Sequence, residues 1–132
     1  MTPSMRSLVT GSCLGLILAL PTPAAACGAC VEDQVAATYD HAVVMRAAAR
    51  HYVVVFAAIE GSGNAQLLVR QVKAAAERAP GVDRASVRTA VDPSALSFAV
   101  DPSVAAPEAT LAAIEKGMRA VQVKLPVLRI VR

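Results

Sequence analysis

Apolar residues follow two different spacings along the first half of the chain, and each spacing predicts an element. They recur every three or four positions over residues 31–50 without Gly or Pro, so we expect one helix there. Residues 52–59 form a continuous, valine-rich apolar run, which favours a buried strand. Residues 61–64 (Gly-Ser-Gly-Asn) indicate a loop, and helical spacing returns over residues 65–79.

The second half begins with alternating positions and ends with a proline-marked strand. Residues 85–91 and 96–100 alternate on either side of Asp92-Pro93-Ser94, which predicts a β-hairpin. Pro107 opens a third helix, because proline fits the first helical position. Residues 123–131 are the last predicted strand, and Pro126 within them favours an edge of the sheet.

The order of these elements predicts the fold class. One helix is followed by β-α-β-β-α-β, which is the order of an α+β, ferredoxin-like βαββαβ sandwich with an extra N-terminal helix. We therefore expect a four-stranded antiparallel sheet with two helices on one face and the last strand at an edge.

The first 26 residues have the order of a secretory signal peptide. Arg6 precedes an apolar run over residues 8–20, two prolines follow, and Ala24-Ala25-Ala26 stands before Cys27. We expect cleavage there and a periplasmic or secreted protein. An uncleaved membrane anchor and a lipoprotein are the alternatives, and lipidation of Cys27 would tie the protein to a membrane. The expected division is a signal peptide (1–26), a CxxC segment with the N-terminal helix (27–51) and a sheet domain (52–132).

Composition narrows the class of protein. The 132 residues are 55% hydrophobic and 17% charged, which fits one compact domain. The net charge is +3, the basic residues are scattered, and the chain holds two Tyr, two Phe and no Trp. This pattern indicates that nucleic acid is not a partner. The sequence also lacks a Ser/His/Asp set, a phosphate loop and a zinc-protease motif, so we expect a protein that is not an enzyme.

Several segments resemble the heavy-metal-associated (HMA) domain, which is found in copper chaperones and metal-transport ATPases. They are Ala-Pro-Gly-Val at 79–82, the alternating strand at 85–91, Leu-Ser-Phe-Ala-Val-Asp-Pro at 96–102 and the helix that begins at 107. The resemblance implies a ferredoxin-like fold. The family binds soft metals through a Met-x-Cys-x-x-Cys loop after the first strand, but the two cysteine positions fall at about Ala65 and Leu68 here. The family's metal site is therefore absent from its usual place.

A different cysteine pair stands in front of the N-terminal helix. Cys27-Gly28-Ala29-Cys30 separates two thiols by two small residues, and thiolates at that spacing can converge on one soft ion. We expect Cys27 and Cys30 to bind a metal, most readily Cu(I), because two sulfurs suffice for it. Zn(II) would need further ligands or a second chain. A thiol–disulfide role and a passive or lipidated terminus are the other interpretations of the pair.

The fold suggests where further ligands and partners would come from. If the helix ran back along the first strand, Cys30 would approach the vacated loop, with Met118 as the nearest thioether. His41 is a weaker candidate, and core packing of Met118 is the alternative. We expect a carrier that passes its ion to a partner protein, with a shared ion across a homodimer as one possibility. The alternatives are a metal-free interaction module on a degenerate HMA scaffold and a thiol–disulfide redox or sensor protein.

Overall fold

The computed structural model describes residues 30–132, which form four α-helices and four strands. In chain order these are α1 (Val31–Thr38), α2 (His41–Ala49), β1 (Val53–Ala58), α3 (Ala65–Ala76), β2 (Arg88–Val91), β3 (Ser94–Val100), α4 (Pro107–Gly117) and β4 (Val127–Val131). Short 3-10 turns lie at Arg84–Ser86 and Arg119–Val121.

The four strands form one antiparallel sheet in the order β2-β3-β1-β4. Together with α3 and α4 this is the ferredoxin-like β-α-β-β-α-β arrangement, so the predicted α+β fold is confirmed. β4 lies at an edge as expected, and it begins directly after Pro126. That placement suits proline, which has no N–H to give to the sheet.

One face of the sheet packs against α3 and α4 and forms the main core. Alternate residues of β1, namely Val53, Val55 and Ala57, point into it. Leu68 of α3 and Ile114 of α4 meet them from the helical side. This is the face that the helical stripes of the sequence predict.

The other face of the sheet is also covered, by α1 and α2. Val35 of α1 and Ala47 of α2 are buried against Val54, Phe56 and Ala99 of the sheet. Every residue of β1 is buried as a result. The described chain therefore has three layers, with the sheet in the middle.

The single helix expected over residues 31–50 is two helices, because the chain breaks at Tyr39 and Asp40. The Asp40 carboxylate accepts hydrogen bonds from the N–H groups of Ala42 (2.9 Å) and Val43 (3.2 Å). A side chain that satisfies these N–H groups starts a new helix, and α2 begins at His41. The apolar spacing continues across the break and therefore conceals it.

The strand expected over residues 85–91 begins only at Arg88. The Asp83 carboxylate accepts a hydrogen bond from the N–H of Ala85 (3.1 Å), which caps the 3-10 turn at Arg84–Ser86. The predicted turn at residues 92–94 is confirmed, since Val91 pairs with Ser94 in the β2–β3 register.

α1 crosses the strands instead of running back along β1. Four register partners form a row across the sheet: Arg88 on β2, Ser97 on β3, Phe56 on β1 and Arg129 on β4. Glu32 forms an ion pair with Arg129 on β4. The Tyr39 ring stacks on the Phe56 ring on β1, with 6.4 Å between centroids. The Ser97 hydroxyl on β3 donates to the Thr38 carbonyl (2.9 Å), and Asp40 forms an ion pair with Arg88 on β2 (2.9 Å). The start of α1 therefore lies at the β4 edge and its end at the β2 edge.

Candidate functional site

Cys30 stands at the N-cap of α1, and its side chain is exposed. Its backbone carbonyl accepts from the N–H of Gln34 (3.1 Å), which is the first helical hydrogen bond. Its thiol forms no disulfide with any residue of the described chain and donates to the Asp33 carboxylate at 3.3 Å. Within residues 30–132 the thiol therefore lies at the surface with one weak side-chain contact. Cys27, the other half of the expected pair, lies outside the described residues.

The charges around the Cys30 thiol act in opposite directions. The first N–H groups of α1 carry the positive end of the helix dipole, which attracts negative charge. Glu32 and Asp33 lie in the first turn and add negative charge. Arg129 compensates Glu32 through an ion pair, whereas the contact of Asp33 in the described residues is with the thiol itself. Asp33 is therefore the carboxylate that most directly opposes a negatively charged metal–thiolate complex.

Met118 is buried in the main core, with 6% of its surface exposed. That core lies on the α3 and α4 face of the sheet, whereas α1 covers the opposite face. The sheet therefore separates Met118 from Cys30, and the expected approach of the thioether to the thiol is not found. Core packing is the role that its surroundings support.

His41 is the first residue of α2 and is exposed. Its ring Nδ1 lies 3.4 Å from the Tyr39 hydroxyl. Because α1 spans about 12 Å between Cys30 and this position, the imidazole and the thiol lie at opposite ends of the helix. Within residues 30–132, no three side chains of His, Cys, Asp or Glu converge on a point that could hold a metal ion.

Residues 64–68, where the resemblance to the HMA domain would place a pair of thiols, form the start of α3. Asn64 caps α3, and its side-chain oxygen accepts from the N–H of Leu67 (2.9 Å). Ala65 is the first helical residue and Leu68 is buried in the core. Neither side chain carries a metal-ligating atom, so this loop has a structural role in starting α3.

Asp40 and Arg88 join the N-terminal layer to the edge strand β2. Arg88 donates to the Asp40 carboxylate from Nε at 3.0 Å, and its terminal nitrogen lies 2.9 Å from the same oxygen. The N–H of Val43 and the Arg88 guanidinium hold the pKa of the Asp40 carboxyl below its usual value. The sequence gives no sign of this pair, because its members lie 48 positions apart.

A second feature that sequence reasoning missed is a basic groove beside the end of α4. Lys116, Arg119 and Lys124 line a cavity of about 560 Å³ with Glu115 and Gln122. In the sequence these three cations belong to a set of basic residues that is scattered along the chain. Three cations within nine positions are a possible sign of a basic site. That they line one cavity depends on the turn at Arg119–Val121, which the sequence pattern does not predict.

Comparisons with known proteins add no family to this description. Between Cys30 and the C-terminal residue, no helix has both the length and the apolar character of a membrane span. The chain matches no protein-family model, and no curated protein or solved structure shows a significant similarity to it.

Proposed function

We propose that this chain is an extracytoplasmic carrier that binds a soft metal ion, Cu(I) first, through the thiolates of Cys27 and Cys30. The observation that supports the proposal is the position of Cys30. Its thiol is exposed at the start of a helix, and among residues 30–132 it forms no disulfide and makes no hydrogen bond to the helix N–H groups.

Two sulfurs are enough for the proposed cargo. Cu(I) is a soft ion that accepts linear coordination by two thiolates, and a CxxC spacing brings two sulfurs within reach of one ion. Zn(II) prefers four ligands, so it would require a second chain or added ligands. Release to a partner would proceed by exchange, in which a Cys or Met sulfur of the partner bonds to the ion as one thiolate of this chain leaves.

An anaerobic competition titration with a chromogenic Cu(I) chelator tests the proposal. The mature protein, expected to begin at Cys27, is compared after full reduction with the variant Cys27→Ser/Cys30→Ser. We expect one ion per chain or per dimer with a Kd below about 1 pM, and a loss of at least about a hundredfold in the variant. Met45→Leu removes an exposed thioether and is the matched control, which should bind as the unmodified protein does.

Equal and weak Cu(I) binding by the protein and its double variant would overturn the metal proposal. That result would favour the second candidate, a metal-free interaction module. Its supporting observation is the layer of α1, α2 and the break between them, where Val31, Tyr39 and Met45 are each about half exposed. Large apolar side chains at a surface are a common feature of protein interfaces.

A further inference from the structure

The basic groove lies between the second half of α4 and the segment that leads into β4. Lys116 is in the last turn of α4, Arg119 is in the 3-10 turn that follows, and Lys124 lines the same cavity from the segment before β4. The cavity measures about 560 Å³ and is open to solvent. Three cations therefore approach one space from three separate backbone segments.

The three cations have no internal partner in the described part of the chain. The ion pairs found there involve Arg50, Lys73, Arg88 and Arg129, and none of the groove cations. Glu115 is the one carboxylate in the lining, and its Oε1 accepts from the N–H of Leu125 (2.7 Å). The lining therefore carries a net charge of about +2, available to a ligand.

Backbone hydrogen bonds and buried anchors hold the groove walls in place. The 3-10 turn is closed by the N–H of Val121 donating to the Met118 carbonyl (2.9 Å). Lys124 exchanges two backbone hydrogen bonds with Glu60, two residues beyond the end of β1, and each is 2.9 Å long. Val123 is buried beside them. The backbone of the groove is thus held in place, and binding would have to order only the three exposed cationic side chains.

We propose that this groove binds a small phosphate monoester. Such a group carries close to two negative charges at pH 7, which matches the net charge of the lining. The guanidinium fork of Arg119 can bind two phosphate oxygens, and the lysines supply point charges. The cavity is larger than a phosphate group alone, and Ala112 and Val123 give it an apolar part for the organic substituent. This site is independent of the thiols of the proposed carrier.

The test is a titration of the full mature protein with phenyl phosphate at constant ionic strength, followed by amide NMR shifts. We expect saturation with a Kd of about 1 mM or below and shifts centred on residues 115–125. Benzoate has the same ring and one negative charge, and it should bind at least about tenfold more weakly. Inorganic phosphate should shift the same amides, since it carries the charge without the ring.

Two sets of variants locate the binding. Lys116→Gln/Arg119→Gln/Lys124→Gln should lose saturable binding, and the single variant Arg119→Glu should lose it as well. The matched control Arg70→Gln/Arg78→Gln/Arg84→Gln removes the same charge from exposed positions outside the groove and should bind within about twofold of the original. Equal loss in the control, or equal affinity for benzoate and phenyl phosphate, would overturn the proposal.

Discussion

Asp40 shows how one carboxylate can organise the N-terminal part of the chain. It receives the N–H groups that begin α2 and also the guanidinium of Arg88, so one side chain starts a helix and ties it to β2. Because these contacts stabilise the ionised form, the pKa of Asp40 is lower in the folded protein than in the unfolded chain. Its contribution to stability must therefore depend on pH.

We predict that Asp40→Asn lowers the free energy of unfolding at pH 7 and that the difference disappears in acid. Asn still accepts at the helix start, so the substitution mainly removes the charge that Arg88 binds. Since the folded pKa is depressed, the stabilisation is complete above the unfolded pKa of about 3.9 and is lost as pH falls through the folded pKa. Urea unfolding of both proteins at pH 7, 5, 4 and 3 measures how the difference between their free energies of unfolding decreases as the pH falls.

Asp92→Asn is the control for that series, because Asp92 is exposed and makes no side-chain hydrogen bond or ion pair within residues 30–132. Its difference from the unmodified protein should stay small at every pH. A difference for Asp40→Asn that remains constant down to pH 3 would show that the ionised carboxylate is not the source of the effect.

At the scale of elements, the end of α2 is closed by a left-handed residue that is not glycine. His51 has φ +57°, its N–H donates to the Ala48 carbonyl (3.1 Å), and the N–H of Tyr52 donates to the Ala47 carbonyl (2.9 Å). These two bonds form the Schellman pattern, in which this position most often holds glycine. A side chain at this φ costs roughly 1–2 kcal/mol, and glycine avoids that cost.

We therefore predict that His51→Gly raises the free energy of unfolding by about 0.5–1 kcal/mol. The gain is smaller than the full steric cost, because glycine also gives the unfolded chain more conformational freedom. His51→Ala removes the same ring and keeps the left-handed strain, so it should give no gain. Thermal and urea unfolding of the two variants provide the comparison, and an equal loss of stability in both would place the contribution in the imidazole ring.

The sequence predicts an element well where the local pattern of residues is compatible with only one kind of secondary structure. The apolar run of β1 and the proline at the start of α4 each fix an element locally. The break between α1 and α2 depends on Asp40, which caps α2 and forms an ion pair with Arg88, 48 positions away. The apolar spacing continues through the break, so it does not predict where the first helix ends. The alternation in β3 predicts one buried face, but Ser97 is buried too because α1 lies over it.

The candidate site also has features that the local sequence predicts and features that depend on the tertiary fold. The position of Cys30 directly before a helix is predicted from the local pattern and agrees with the structure, which adds that its side chain is exposed. Its distance from Met118 depends on which face of the sheet α1 covers, and periodicity carries no information about that choice. The basic groove is hidden for a similar reason, since Lys116 and Lys124 converge only through the turn between them.

For the molecule as a whole, the N-terminal layer completes the core. The sequence suggests a division between residues 27–51 and 52–132, with the sheet domain as the separate unit. In the structure, Val54 and Phe56 are 2% and 1% exposed because α1 and α2 cover them. Exposing these two side chains would cost about 3–6 kcal/mol, which is comparable with the whole stability of an ordinary domain.

We predict that the 52–132 chain does not form a stable monomer, whereas the 27–132 chain does. Removal of α1 and α2 opens Val54, Phe56 and Ala99 to water and also deletes the partner of Arg88 on the edge strand. Size-exclusion chromatography and amide hydrogen exchange compare the two chains, and the shorter one should aggregate or lose protection in β1 and β3. Adding Val54→Thr and Phe56→Thr to it should reduce aggregation without restoring protection, because polar side chains remove the apolar surface but not the missing contacts. A monomeric 52–132 chain with protected strands would instead show that the βαββαβ unit folds by itself and that α1 and α2 are an attachment to it.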